Sequence, residues 1–192
     1  EDIGEVEMRV CGKRGDEKRS ERAVDREGAG SKETLYAGCG EKQGLLSAVI
    51  RRNASQGQDI LRASLVLDQP PERALHSFGS ALLELLLGDA AVVLNRAAIC
   101  EASADSTLGV MIARHGRDEA LPVLTTYLRA QQSNGFLQFD KAEEAAGTLI
   151  GLLMGDHQIR RLLGVAPPPT PEWIEQRARV AVSQFLKLFG PI

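Results

Sequence analysis

A chain of 192 residues with a formal net charge of −3 has room for one large domain or a small domain joined to a larger one, and its bulk charge does not announce nucleic-acid binding. A small head could still meet DNA on an acidic body, since only local Lys and Arg face phosphates. Apolar residues reach 43% while aromatics stay at 4%, so the core must be built from Leu, Ala, Val and Ile, a bias toward helix over strand. The three cysteines, Cys11, Cys39 and Cys100, form no Cys-x-x-Cys pair, which leaves both a disulfide framework and a zinc site without support. No run of 18 apolar residues occurs and no signal-peptide pattern opens the sequence, so a soluble cytoplasmic protein is expected.

In residues 1–30, sixteen side chains are charged and eight are apolar, with glycines interrupting throughout. Such a stretch buries too little apolar surface to offset its chain entropy, and it is expected to be poorly ordered or loosely helical near Glu17–Glu27. Ser31-Lys32-Glu33-Thr34-Leu35-Tyr36 then reads as a short polar helix. Gly40 marks a turn, and Glu41 to about Leu67 reads as a long amphipathic helix with Gly57 as its weak point. Asp68-Gln69-Pro70-Pro71 stops it, and Pro71 suits the first turn of a helix running to about Leu87. Asp89 is a candidate N-cap for Ala90–Ala102, and Asp105 or Ser106 for a helix ending at His115-Gly116. Arg117 to Ser133 is predicted as a helix closed by Asn134-Gly135, with Pro122 tolerated near its start. Asp140 is expected to cap a strongly apolar helix from Ala142 to Leu163, ended by Gly164. After three consecutive prolines, Thr170 as N-cap and Pro171 at the first helical position open the last helix. No strand is required anywhere.

A short polar helix, a glycine-containing turn and a long amphipathic helix are the second half of a helix-turn-helix that hands over to a connecting helix. The segment resembles the TetR/AcrR family of bacterial regulators, whose text here is close to A-G-V-S-K-x-T-L-Y-x-Y-F-x-S-K-E-x-L. The chain keeps S-K-x-T-L-Y, Lys42 and Leu45; it lacks the Val before Ser31, has Cys39 for an aromatic, and has Gln43 where Glu is common. Further on, Gln138-Phe139-Asp140, Ala142-Glu143-Glu144-Ala145-Ala146 and Gly151-Leu152-Leu153-Met154-Gly155-Asp156 resemble the AefR-like C-terminal domain found in part of that family.

The resemblance implies an all-α protein, with a helix-turn-helix region in residues 1–46, degenerate or partly disordered, followed by a helical ligand-binding and dimerisation domain in residues 47–192. It implies a ligand-responsive DNA-binding transcriptional regulator of the repressor type, acting as a homodimer on double-stranded operator DNA and answering to a small apolar or amphipathic effector. Lys32, Thr34, Tyr36 and Lys42 are the expected DNA-binding residues, of the types that reach phosphates or base edges. The last two long helices carry more apolar surface than one chain of this size should hide. Leu149, Gly151, Leu153, Val182 and Phe185 are therefore expected at a dimer interface.

Other chemistry has little footing. His76, His115 and His157 are scattered without a second ligand at metal spacing, so no metal is expected, and Asp156-His157 reads as a surface or interface pair. No nucleophile elbow and no phosphate loop occurs, so neither an enzyme nor a cofactor is expected. Cys39, just before a helix start, keeps a redox-sensing thiol open. The alternative to a working regulator is a helical dimeric interaction module with a decayed DNA-binding head, which Cys39 and the sparse apolar content of residues 1–30 favour.

Overall fold

The structure is a computed structural model and describes residues 50–191 apart from residue 53. The expectations for residues 1–49, including Lys32, Thr34, Tyr36, Cys39 and Lys42, lie outside the described residues. Among the described residues every regular element is a helix and there is no strand. No single helix among them is long and apolar enough to cross a membrane.

The first element, α1, is helical over residues 50–52 and 54–64. It is followed by α2 (Pro71–Leu87), α3 (Asp89–Glu101), α4 (Thr107–His115), α5 (Arg117–Ser133), α6 (Ala142–Met154), α7 (His157–Leu162) and α8 (Pro171–Phe189). Boundaries follow the punctuation in the text. Pro71 and Pro171 occupy first-turn positions, where a missing N–H costs nothing, and the Thr170 hydroxyl accepts from the Trp173 amide at 3.2 Å. Past α5, the Phe136 amide bonds the Gln131 carbonyl and the Gly135 amide bonds the Gln132 carbonyl, which satisfies the orphan carbonyls of the last turn.

Helix α8 lies against α2 and α6, and α5 lies against α4 and α6. One apolar core joins Leu75, Phe78, Leu83, Leu124, Leu128, Leu149, Leu153, Val182 and Phe185. Small residues set its tightness: Ala145, Ala146, Ala178 and Ala181 are wholly buried, so the backbones they sit on can approach closely. A smaller cluster of Ile50, Ala98 and Leu108 holds the start of α1.

The structure departs from the sequence-based expectations at several points. The apolar segment 142–163 is two helices, because Gly155 adopts φ +49° and ψ −129°, a conformation open essentially to glycine alone. The chain turns there because Arg177 of α8 supplies what the interrupted helix loses, donating to the Leu153 carbonyl at 2.9 Å and the Leu152 carbonyl at 2.5 Å. Asp89 is the first residue of α3 rather than its cap; Gly88 holds the cap position, and the Asp89 carboxylate is drawn to Arg161 instead. Asp140 likewise gives way to Lys141 at the start of α6. Gly57, expected to be a weak point, is buried beneath Leu85, whose Cδ2 would stand 2.7 Å from an added Cβ.

The residues expected at a dimer interface divide in two. Leu149, Leu153, Val182 and Phe185 are fully buried inside a single chain, so they belong to the protomer core. The apolar stripes of α6 and α8 face α2 and each other, which absorbs the surplus that had pointed to a partner. Gly151 alone of the five faces outward, with open space around it.

Candidate functional site

Three features of the body bear on function. The first is the attachment of α1, the helix that leads from the N-terminal region. The Gln58 amide donates to the His115 carbonyl at 3.1 Å and to the Glu119 carboxylate at 2.6 Å. The His115 ring lies 2.9 Å from the other Glu119 oxygen. Gln58, and after it His115, hold the Glu119 carboxyl below the usual carboxylate range. With Leu85 seated on Gly57, α1 is thus fixed to α2 and to the corner between α4 and α5. Gln58 was not foreseen, since a lone Gln on a polar helix face has no signature in sequence.

The second feature is a clamp where α7 meets the junction of α2 and α3. Arg161 of α7 is only 7% exposed, yet every part of its guanidinium is engaged. It donates to the Leu87 carbonyl at 3.0 Å, the Ala166 carbonyl at 3.1 Å and the Asp89 carboxylate at 2.5 Å. Arg96 of α3 donates to the Leu162 and Arg161 carbonyls at 3.0 and 3.1 Å, closing the end of α7. These bonds tie α2, α3 and α7 to one another.

The third is the inner face of α5. Tyr127 and Gln131 are buried there, four residues apart, and neither the Tyr127 hydroxyl nor the Gln131 amide has a hydrogen-bond partner. Burial pushes the Tyr127 phenol up to about 12. Tyr127 and Gln131 fall inside residues 47–192, where the ligand-binding domain is expected, but sequence alone gives no sign that they are unpaired.

Of the expected site residues, Lys32, Thr34, Tyr36 and Lys42 lie outside the described part of the chain. His157 sits edge-on to Trp173, ring centroids 4.6 Å apart, and burial, then Arg177, lower its pKa. Among the described residues no three His, Cys, Asp or Glu side chains converge as a metal site would require.

A family model described as the C-terminal domain of AefR-like transcriptional repressors matches residues 73–191, more than half of the chain. Among solved structures, a TetR transcriptional regulator from Agrobacterium tumefaciens is 33% identical, with a TM-score of 0.58 over 83% of this chain and 78% of that one. The flavonoid-responsive regulator FrrA is 25% identical, with a TM-score of 0.64 over 84% and 81%. A protein of Mesorhizobium loti MAFF303099 assigned to the TetR-family regulators is 23% identical and superposes with a TM-score of 0.71 over 84% and 81%. No curated protein matches.

Proposed function

Because the chain belongs to the TetR family of transcriptional regulators, we propose that it is a repressor that releases operator DNA when a small apolar or amphipathic effector enters its body. Residues 1–46 form the DNA-reading head and residues 47–192 the effector-binding and dimerisation domain. Regulators of this family bind operator DNA as dimers. Within the head, Lys32, Thr34, Tyr36 and Lys42 carry the DNA contacts, and S-K-x-T-L-Y across residues 31–36 supports that placement.

The observation that carries the switching part of the proposal is the Gln58 junction. The α4–α5 corner that Gln58 grips is continuous with α5, whose inner face holds the unpaired Tyr127 and Gln131. An effector lodged against α5 therefore bears on the helix that leads to the head. A ligand needs about a hundredfold preference for one state, roughly 3 kcal/mol, to alter operator occupancy decisively.

The test is salt-dependent binding of the full chain to a DNA fragment from beside its own coding region. Lys42→Ala is expected to weaken binding on all sequences and to lower the salt slope by about one, since one phosphate contact is removed. Thr34→Ala is expected to change which sequence is preferred. Cys39→Phe restores apolar packing under the recognition helix and is expected to raise affinity. Binding that stays at the non-specific level in both the native chain and Cys39→Phe would replace this reading with a dimeric interaction module whose head has decayed.

A further inference from the structure

Tyr127 and Gln131 are the two buried side chains of α5 whose polar atoms lack hydrogen-bond partners, although Tyr127 also packs into the apolar core, and their chemistry specifies what would complete them. They are 4% and 1% exposed, and the phenolic oxygen, the amide nitrogen and the amide oxygen all lack a partner. A spacing of four residues stacks them one turn apart on the same face. Thr125, the third buried polar residue of this helix, is satisfied by the Pro122 carbonyl at 3.1 Å, so α5 does not leave its buried polar groups unpaired as a rule. Native cores rarely retain unpaired polar groups, because each forfeits its hydrogen bonds to water without replacement.

Leu124 and Leu128, fully buried, share the face. Together the two polar groups offer a hydroxyl that donates or accepts, two amide N–H donors and one amide acceptor, with no charge. The buried charged residue among those described is Arg161, and it is already taken by Leu87, Ala166 and Asp89. A charged ligand at α5 would thus lose its hydration with nothing to balance it.

We propose that Tyr127 and Gln131 are the hydrogen-bonding anchor of the effector site, and that the effector is a neutral, mainly apolar molecule bearing both a hydroxyl and a carbonyl oxygen. The effector hydroxyl donates to the Gln131 amide oxygen, and its carbonyl accepts from the Tyr127 O–H. The proposal rests on the regulator reading only in naming the ligand an effector.

Calorimetric titration of the full chain in mildly acidic buffer tests it, using three hydroxyketones of increasing size: 4-hydroxyacetophenone, 4-hydroxybenzophenone and 6-hydroxyflavone. The comparison set is 4-acetylbenzoate, 4-benzoylbenzoate and flavone-6-carboxylate, which place a charge where the hydroxyl was. At least one hydroxyketone is expected to bind, and its carboxylate counterpart to bind tenfold or more weakly. Tyr127→Phe and Gln131→Leu are each expected to weaken binding about tenfold, the loss of one hydrogen bond. Both variants are also expected to melt higher than the native chain without ligand, because each removes an unsatisfied group; a purely structural role for the pair predicts lower melting. Binding by none of the hydroxyketones, equal binding of the carboxylates, or unchanged affinity in both variants overturns the proposal, and so does a crystal structure with ordered water satisfying both side chains in a protein that takes up no probe. Operator binding, measured separately, distinguishes the two readings. Probe uptake without DNA binding sinks the regulator and leaves the anchor, and DNA binding without probe uptake does the reverse.

Discussion

Removing the Arg161 guanidinium strands two backbone carbonyls and one carboxylate, but these three partners are not of equal weight. Asp89 is 73% exposed on its side chain, so water replaces most of what the ion pair gives, and Asp89→Asn is expected to cost under about 1 kcal/mol. The Leu87 and Ala166 carbonyls lie at helix and loop ends, and Arg161 donates to both. Arg161→Ala is expected to cost roughly 2–4 kcal/mol in urea unfolding, combining lost hydrogen bonds to a charged donor with lost packing of its stem. Equal losses in the two variants would assign the clamp to the ion pair instead. Tyr127 supplies a pH signature at the same scale. Its folded value, about 12, lies above the unfolded value of 10.0. The folded state therefore holds the proton more tightly, and the associated stability is intact below pH 10.0 and lost as pH rises through about 12. Stability curves of the native chain and Tyr127→Phe should diverge in that window and run parallel below it.

Among the elements, the break at Gly155 shows where reading from sequence stopped. Periodicity places α2, α5 and α8 to within a residue, because proline, threonine and Asn-Gly punctuation coincide with the ends of their apolar stripes. In 142–163 the apolar residues continue straight through Gly155, and its neighbour Gly151 stays helical. What separates the two glycines is Arg177, twenty-odd positions later, which caps the Leu152 and Leu153 carbonyls. That contact is tertiary and leaves no local trace. The same limit applies to the site. Phe185 and Leu153 were legible as buried but not as buried within one chain, and the unpaired state of Gln131 depends on what α6 and α4 fail to offer it. Gly155→Ala tests the break. An L-residue at φ +49°, ψ −129° is strained, and its Cβ would stand 3.1 Å from Arg177 Nη2, so a loss of about 1–3 kcal/mol is expected in thermal or urea unfolding. Gly151→Ala, helical and with open space around it, should be neutral or stabilising for the protomer.

For the whole molecule, the proposed subunit contact is the outward face of α6 and α8. Gly147 and Gly151 lie one helical turn apart on α6, exposed, and nothing stands within 4 Å of where their Cβ atoms would be. Half-buried Ile150 lies between them, and on α8 Val180 and Leu188 are exposed, Leu188 to 63%. Absent side chains at two positions let another helix approach closely, and the flanking apolar groups would be covered by it. Leu149, Leu153, Val182 and Phe185 cannot serve this purpose, since they already fill the protomer core. Two substitutions on one helix therefore have different expected outcomes. Gly151→Arg places a long charged side chain on the outer face, leaves the core untouched, and is expected to yield folded monomer, with native helical dichroism and half the native mass by light scattering. Leu153→Arg places a charge in the core against α2 and α8 and is expected to prevent folding, at a cost well above 4 kcal/mol. If Gly151→Arg remains a dimer of native mass, the subunits meet elsewhere, and the spacing of the two DNA heads must be set by another face.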